Sequence, residues 1–528
     1  MARHLVTSAL PYVNSVKHLG NVVGSLLPAD VHARWLRNEG HQVLFVCGTD
    51  EHGAPAEIAA AAAGAPVGPW CDQLHAIQAE QYRRLNLSFD RFGRTSDPGT
   101  RAVATEVYLA LRDAGLVDRR VVHQLYSPAD GRFLPDRYVH GTCPHCASAG
   151  ARGDQCDACG RLLDPEDLIA PRSALSGSTA LERRATEHAY LRLSALAEWA
   201  RGHLERHPEW SAITRSVARS WLDQGLEDRC ITRDLAWGTP VPDLPGKVFW
   251  CWFDAPLGYV GLTREADPDG WRRWWDPDGD CRITQFLGKD NVPFHAIWLP
   301  AILHATGLRP PDRVHGLHWL LWEGDKFSTS AGRGVFLDEA LERLPADVWR
   351  WVLLAQAPET ADTWFGWDKV AAIADKDLAG QLGNLVHRVQ RLASAVPAGG
   401  EAGADEDAVW AEARSHAAAL AAAHESLGFR DVIGALRGLL HTVNRYVDRQ
   451  APWSRGPRQE VVLRTCFELL RLVATAVEPV IPETAVRIGA VLGVDAVAVP
   501  LASQLAPGGL AGRPLTPTGP LFPRERAG

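Results

Sequence analysis

Leu5-Val6-Thr7-Ser8-Ala9-Leu10, then His18-Leu19-Gly20-Asn21, then Val22, Leu26, Val31 and Trp35 at helical spacing, read in order as strand, loop and helix. A helix starting in that loop presents free N–H groups and the positive end of its dipole just beyond a strand, an arrangement suited to a phosphate. Further along, Val43-Leu44-Phe45-Val46-Cys47 gives a second strand, followed by Gly48-Thr49-Asp50-Glu51-His52-Gly53 and an alanine-rich helix, which completes a βαβ unit. From Leu116 to Cys230 the pattern becomes irregular and reads as an insertion. Alternation resumes with a strand expected at Val248-Phe249-Trp250-Cys251-Trp252. Another follows at Ile283-Thr284-Gln285-Phe286-Leu287, before Gly288-Lys289-Asp290 and a helix starting near Phe294. Lys326-Phe327-Ser328-Thr329-Ser330 is a second polar signature, and from about Asp375 apolar residues recur at threes and fours.

The expected fold is α/β: a split, Rossmann-like, doubly wound parallel sheet with an insertion, its nucleotide at the carboxyl ends of the strands, followed by an all-α bundle. The expected divisions are 1–115 and 230–320 for the two halves of the sheet domain and 116–229 for the insertion. A region containing the Lys326 loop follows at 321–374, the bundle at 375–499, and a Pro- and Gly-rich tail that packs back at 500–528.

At 528 residues the chain exceeds one compact core. Its 46% hydrophobic and 22% charged residues are ordinary for a globular protein, and no apolar run approaches the ~20 residues that span a bilayer. The start, Met1-Ala2-Arg3-His4, has no secretory pattern, so the cytoplasm is the expected location. A net charge of −8 confines any nucleic-acid contact to a local patch. Met1 is the only methionine.

Cys143-Pro144-His145-Cys146 and Cys156-Asp157-Ala158-Cys159 separate four of the ten cysteines from the rest. Two CxxC turns offer four thiolates to one tetrahedral ion and leave no open position for substrate, so a single structural zinc is expected; His145 is an alternative ligand. Taken alone, Asp50 reads as a helix cap and Trp252 and Tyr259 as core aromatics. Asn384 and Arg388, four apart, share a helix face that by itself reads as solvated.

In combination these segments resemble a known family. His18–Asn21 with Ala9-Leu10-Pro11-Tyr12-Val13-Asn14, the 48–53 turn, Phe133-Leu134-Pro135-Asp136-Arg137 with the cysteine quartet, Trp252-Phe253-Asp254-Ala255-Pro256-Leu257-Gly258-Tyr259, Gly288–His295 and Asn444–Trp453 are similar to the methionyl-tRNA synthetases, zinc-containing class I enzymes, over essentially the whole chain. The resemblance implies ATP-dependent activation of L-methionine to methionyl-adenylate, with Mg-bound ATP as substrate, and transfer to the 3′ end of tRNA(Met). It implies His18, Asn21, Lys326 and the Thr329 position as catalytic. For ATP it implies His18, Gly20, Asn21, Gly288, Lys289, Asp290 and Lys326. Asp50 would meet the α-ammonium of methionine, with Leu10, Tyr12, Trp252, Ala255, Pro256, Tyr259 and His295 around the thioether. Asn384, Arg388 and Trp453 would read the anticodon. A monomer is expected.

Two departures stand out. Asn21 occupies the place of the second histidine of the HIGH motif, a variant familiar in this family. Thr329 occupies the place of the second lysine of the KMSKS loop, and losing such a charge costs ~3–4 kcal/mol by analogy with removing one oxyanion donor. Slowed activation is therefore expected unless another cation, such as Arg333, substitutes. That departure leaves an alternative: a paralogue activating an amino acid for a non-translational pathway, or a tRNA-binding protein with little activity.

Overall fold

Five parallel strands form the central sheet: β1 (Arg3–Ser8), β2 (Gln42–Thr49), β3 (Arg91–Arg94), β4 (Cys281–Gly288) and β5 (Arg313–Leu317). Their spatial order is β5-β4-β1-β2-β3. The computed structural model describes residues 2–153, 156, 158–159, 161, 163–323, 325–327, 334–494 and 497–522. β1 and β2 are buried along most of their length because helices cover both faces of a parallel sheet. Leu5 on β1 faces Leu44 on one side and Ile283 on the other. The winding reverses between β1 and β4, which opens a crevice at their carboxyl ends.

Two expectations are corrected here. Residues 248–252 are not a strand of this sheet: Val248–Phe249 pairs with Thr232–Arg233 and bridges Pro240, and Cys251 already opens a helix, α2, below. The insertion is not irregular, since Val117–Ser127 pairs antiparallel with Glu182–Leu191 along a ten-residue ladder. Its strands are rich in Arg and Glu and partly exposed on both faces, so no apolar alternation marks them in the sequence.

The helices that matter for the site are α1 (Leu27–Asn38), α2 (Cys251–Ala266) and α3 (Ala346–Ala355). The C-terminal bundle contains α4 (Ala404–Ser426), α5 (Phe429–Gln450), α6 (Gln459–Val477) and α7 (Pro482–Val491). On α5, Val432, Leu436, Leu439, Val443 and Val447 are buried at spacings of three and four. Leucine, valine, isoleucine, alanine and aromatic side chains fill the cores of both lobes, with no internal methionine.

A buried ion network joins the lobes. Asp30 on α1 accepts from Arg350 on α3 at 2.6 Å, from Arg34 at 3.0 Å and from Ser88 N–H and O–H at 2.6 Å. Arg34 and Asn38 donate to Glu478, just beyond α6, at 3.1 and 2.6 Å. Burial by itself would raise the Asp30 carboxyl, but Arg34, Arg350 and the Ser88 hydrogen bonds hold it at about 2. The segment after α7 returns across the bundle: Gln390 and Thr518 exchange two hydrogen bonds of 2.9 Å, and Leu501 N–H donates to Glu39 at 3.0 Å. No helix among the described residues is long and apolar enough to cross a membrane.

Candidate active site

Beyond β1 the chain turns through 9–17 and enters a helical path with a flaw built into it. Leu19–Asn21 is α-helical, Val22–Leu26 is a π-turn, and α1 follows without a break. The helix after β4 has the same form, with a π-turn at Phe294–Trp298. π-turns insert one residue into a helical face and concentrate at functional sites; here the two flank one cavity of ≈ 360 Å³.

That cavity lies at the sheet crevice and collects most of the residues singled out in the sequence. Leu10, Tyr12, His18, Gly20, Asn21, Asp50, Trp252, Ala255, Pro256, Tyr259, Gly288, Asp290 and His295 all line it. Lys289 does not: its ammonium lies 2.7 Å from Asp362 and 4.1 Å from the centre of the Trp319 ring. Lys326 has a described backbone, paired with Leu321, while Thr329 and Arg333 lie outside the described residues. The sequence reading missed Asn14, Lys17, Asn291, His318 and Trp319, which also line the cavity. Lys17 stands directly before His18, but nothing in its type or spacing sets it apart from a surface lysine.

His18 caps the short helix it precedes. Its Nδ1 accepts from Asn21 N–H at 3.3 Å while Asn21 Oδ1 accepts from His18 N–H at 3.3 Å. An asparagine at position 21 therefore does local structural work that fixes the His18 ring. Burial, with Lys17 adjacent, lowers His18 to about 3. The ring is neutral at physiological pH, and with Nδ1 accepting, its proton is on Nε2. Phe327 stacks on it at 4.8 Å. A side chain at Gly20 would come within 3.0 Å of His18 and 3.3 Å of Phe327 and so would crowd the stacked rings. Gly334, at φ +119°, closes over Phe327 in turn.

One end of the cavity is apolar with one charged corner. Trp252 stacks on Phe294 at 3.7 Å and meets Tyr12 edge-on at 6.3 Å. Tyr259 O–H donates to His295 Nε2 at 2.9 Å and His295 Nδ1–H donates to Asn291 O at 3.0 Å, so both ring nitrogens are committed. Burial lowers His295 to about 4, leaving a neutral, fixed wall. Asp50 is held by backbone pairing on both sides, to Pro11 and Val13, and its Oδ1 is buried without a partner. Burial and the nearby Asp254 raise its carboxyl well above the usual range. A buried carboxylate oxygen facing a cavity unpaired is suited to an incoming cation.

In the insertion, the Cys143 and Cys159 sulfurs are 3.9 Å apart and those of Cys146 and Cys156 3.6 Å, all four lying within 4.8 Å of one another. A tetrahedral shell with ~2.3 Å metal–sulfur bonds places its sulfurs ~3.8 Å apart, so this set could hold a thiophilic metal. His145 turns instead to Arg161, at 3.0 Å.

On the bundle, the Arg388 guanidinium lies 5.1 Å from the centre of the Trp453 ring and is anchored to Asp448 at 2.6 Å. Trp453 is 50% exposed, and exposed Asn384 lies one turn before Arg388. The three form one solvent-facing patch away from the cavity.

Comparison with known proteins agrees with this layout. The sequence model for class I tRNA synthetases (M) matches residues 4–390, and that for the anticodon binding domain of methionyl tRNA ligase matches residues 396–516. The methionine-tRNA ligase of Streptomyces avermitilis is 48% identical over 515 residues, covering 91% of this chain and 89% of that protein. That of Caulobacter vibrioides is 47% identical over 522 residues, covering 94% and 91%. Mycobacterium tuberculosis methionyl-tRNA synthetase in complex with methionyl-adenylate superposes with a TM-score of 0.81 at 27% identity, covering 99% of this chain and 100% of that one. With both its catalytic and its helical segments matched, the chain belongs to the methionyl-tRNA synthetase family of class I aminoacyl-tRNA synthetases.

Proposed function

We propose that the chain is a methionine-tRNA ligase that activates L-methionine with Mg-bound ATP and transfers it to the 3′ end of tRNA(Met). The observation that carries this reading is the one cavity in which an aromatic-walled apolar end, an unpaired buried carboxylate and a helix-capping histidine meet. Asp50 takes the α-ammonium of methionine, and Leu10, Tyr12, Trp252, Ala255, Pro256, Tyr259 and His295 enclose its side chain. Each contact of a ring with sulfur contributes ~0.3–1.5 kcal/mol. His18 Nε2–H and the N–H of Gly20 meet the phosphates, while Asn21 keeps the His18 ring in place. Gly288 and Asp290 border the nucleoside, with Lys289 at its rim and Lys326 on the triphosphate side.

The methionine carboxylate attacks the α-phosphorus, the bond to the β-phosphate oxygen breaks, and pyrophosphate leaves. The ribose hydroxyl of the terminal adenosine then attacks the carbonyl of the adenylate and AMP departs. No enzyme group bonds covalently, so rate comes from alignment and from charge placed around the phosphorus.

The divisions given in the sequence analysis are assigned accordingly, with 375–499 as the anticodon-binding part, in which Asn384, Arg388 and Trp453 stack on and hydrogen-bond single-stranded bases. Cys143, Cys146, Cys156 and Cys159 hold one structural zinc. The protein works in the cytoplasm, a reading supported by ten cysteines of which none is paired in a disulfide. It works as a monomer, since the large exposed apolar side chains among the described residues are scattered. The rival reading, a paralogue serving another pathway, is not favoured by the relatives.

Pyrophosphate exchange with methionine, leucine and norvaline, together with charging of a tRNA bearing a CAU anticodon, tests the assignment. Methionine-dependent exchange and charging are expected; equal exchange with leucine would overturn it.

A further inference from the structure

We propose that Lys17 is a catalytic residue, supplying to the α-phosphate and the attacking carboxylate the positive charge that the sequence lacks at Thr329. This rests on the ligase reading above. Lys17 is the one lysine or arginine among the described residues lining the cavity, and only 4% of it is exposed. Its Nζ donates to Asn14 at 2.9 Å and it is attracted by Asp50, while its charge depresses its neighbour His18. It therefore stands between the corner that takes the ammonium of methionine and the ring that meets the phosphates. A methionine with its ammonium at Asp50 directs its carboxylate toward the phosphorus, so the bond being formed lies in that interval.

The backbone ties this residue to the loop that bears the departure. Lys17 C=O accepts from Leu337 N–H at 2.9 Å, Leu19 N–H donates to Val335 C=O at 3.1 Å, and His18 bridges Phe336. On the other side of the loop, Phe327 stacks on His18. Phe327 before 328–333 and Val335–Leu337 after it are thus fastened to 17–19. Among the described side chains, the other nearby cation, Lys289, is already committed to Asp362 through both carboxylate oxygens, at 2.7 and 3.0 Å.

Burial lowers the Lys17 ammonium to about 7 despite the attraction of Asp50. Phosphate charge entering the cavity favours the protonated form. The ammonium keeps its protons through the reaction and acts on charge alone. The groups facing it are Asp50, which favours its charged form, and His18, which is neutral.

The test is a two-by-two set: unmodified chain, K17M, T329K and K17M/T329K, with kcat of methionine-dependent pyrophosphate exchange and calorimetric binding of α,β-methylene-ATP. K17M is expected to lower exchange at least 30-fold, to weaken nucleotide binding at least fivefold and to melt no lower than the unmodified chain. It should also remove a fall in kcat/KM for ATP as pH rises above about 7. T329K is expected to restore exchange at least tenfold in the K17M background and to raise it less than threefold alone. Exchange in K17M within threefold of the unmodified chain, or an equal effect of T329K in both backgrounds, overturns the assignment. An unmodified chain that shows no methionine-dependent exchange defeats the ligase reading. Lys17 is then judged by nucleotide binding, which unchanged affinity in K17M would decide against it.

Discussion

Asp50 shows how little of a site is visible in one residue and how much in its surroundings. In the sequence it is one acid in a turn; in the fold, backbone pairing to Pro11 and Val13 holds it in place and one oxygen is left buried without a partner. Replacing it by alanine should lower kcat/KM for methionine by about 100-fold or more, since truncating one side of a buried charge pair costs ~2–5 kcal/mol. ATP binding measured without amino acid should stay within threefold, and a uniform loss in both would show that the substitution had merely collapsed the turn. Most cavity residues were legible because they fall in short, ordered segments such as His18–Asn21 and Trp252–Tyr259. Lys17 and Trp319 were not, because nothing in their local pattern distinguishes a lysine facing a cavity from one facing water.

Among the elements, β2 was readable because burial on both faces makes it nearly continuously apolar, whereas β1 and β4 carry shorter apolar stretches among polar residues. Val248–Trp252 misled because an aromatic run at the start of a buried helix has the composition of a strand. α1 carries more than its amphipathic face suggests. Replacing Asp30 by asparagine leaves Arg350 buried with its charge uncompensated and should destabilise the chain by ~3–5 kcal/mol in urea unfolding. Because the folded carboxyl stands at about 2, below its unfolded value of ~3.8, its contribution is present above ~pH 4 and is lost as pH falls toward 2. D30N should therefore abolish that part of the acid sensitivity, and an unchanged acid profile would remove Asp30 from the account. In the insertion, the sulfur spacing predicts one zinc per chain by elemental analysis. Stripping the metal or making C156S should speed amide exchange across 139–173 while leaving β1 and β2 protected; equal loosening everywhere would mean the metal supports the whole lobe.

At the scale of the molecule, the cavity and the Arg388–Trp453 patch lie on different lobes, so the two half-reactions can be separated by substitution. W453A should leave pyrophosphate exchange unchanged and lower kcat/KM for tRNA by about one to two orders of magnitude, in line with ~1–3 kcal/mol per stacked base. Loss of exchange as well would place Trp453 in the folding core instead. The interior packing without methionine has a separate effect. If the aromatic slot admits an unbranched analogue such as norleucine, that residue will enter other proteins of the cell, but this polypeptide has no internal codon at which to receive it. Its mass after growth on norleucine should change only at the first residue, and its melting temperature not at all. The catalyst is thereby insulated from its own errors of recognition.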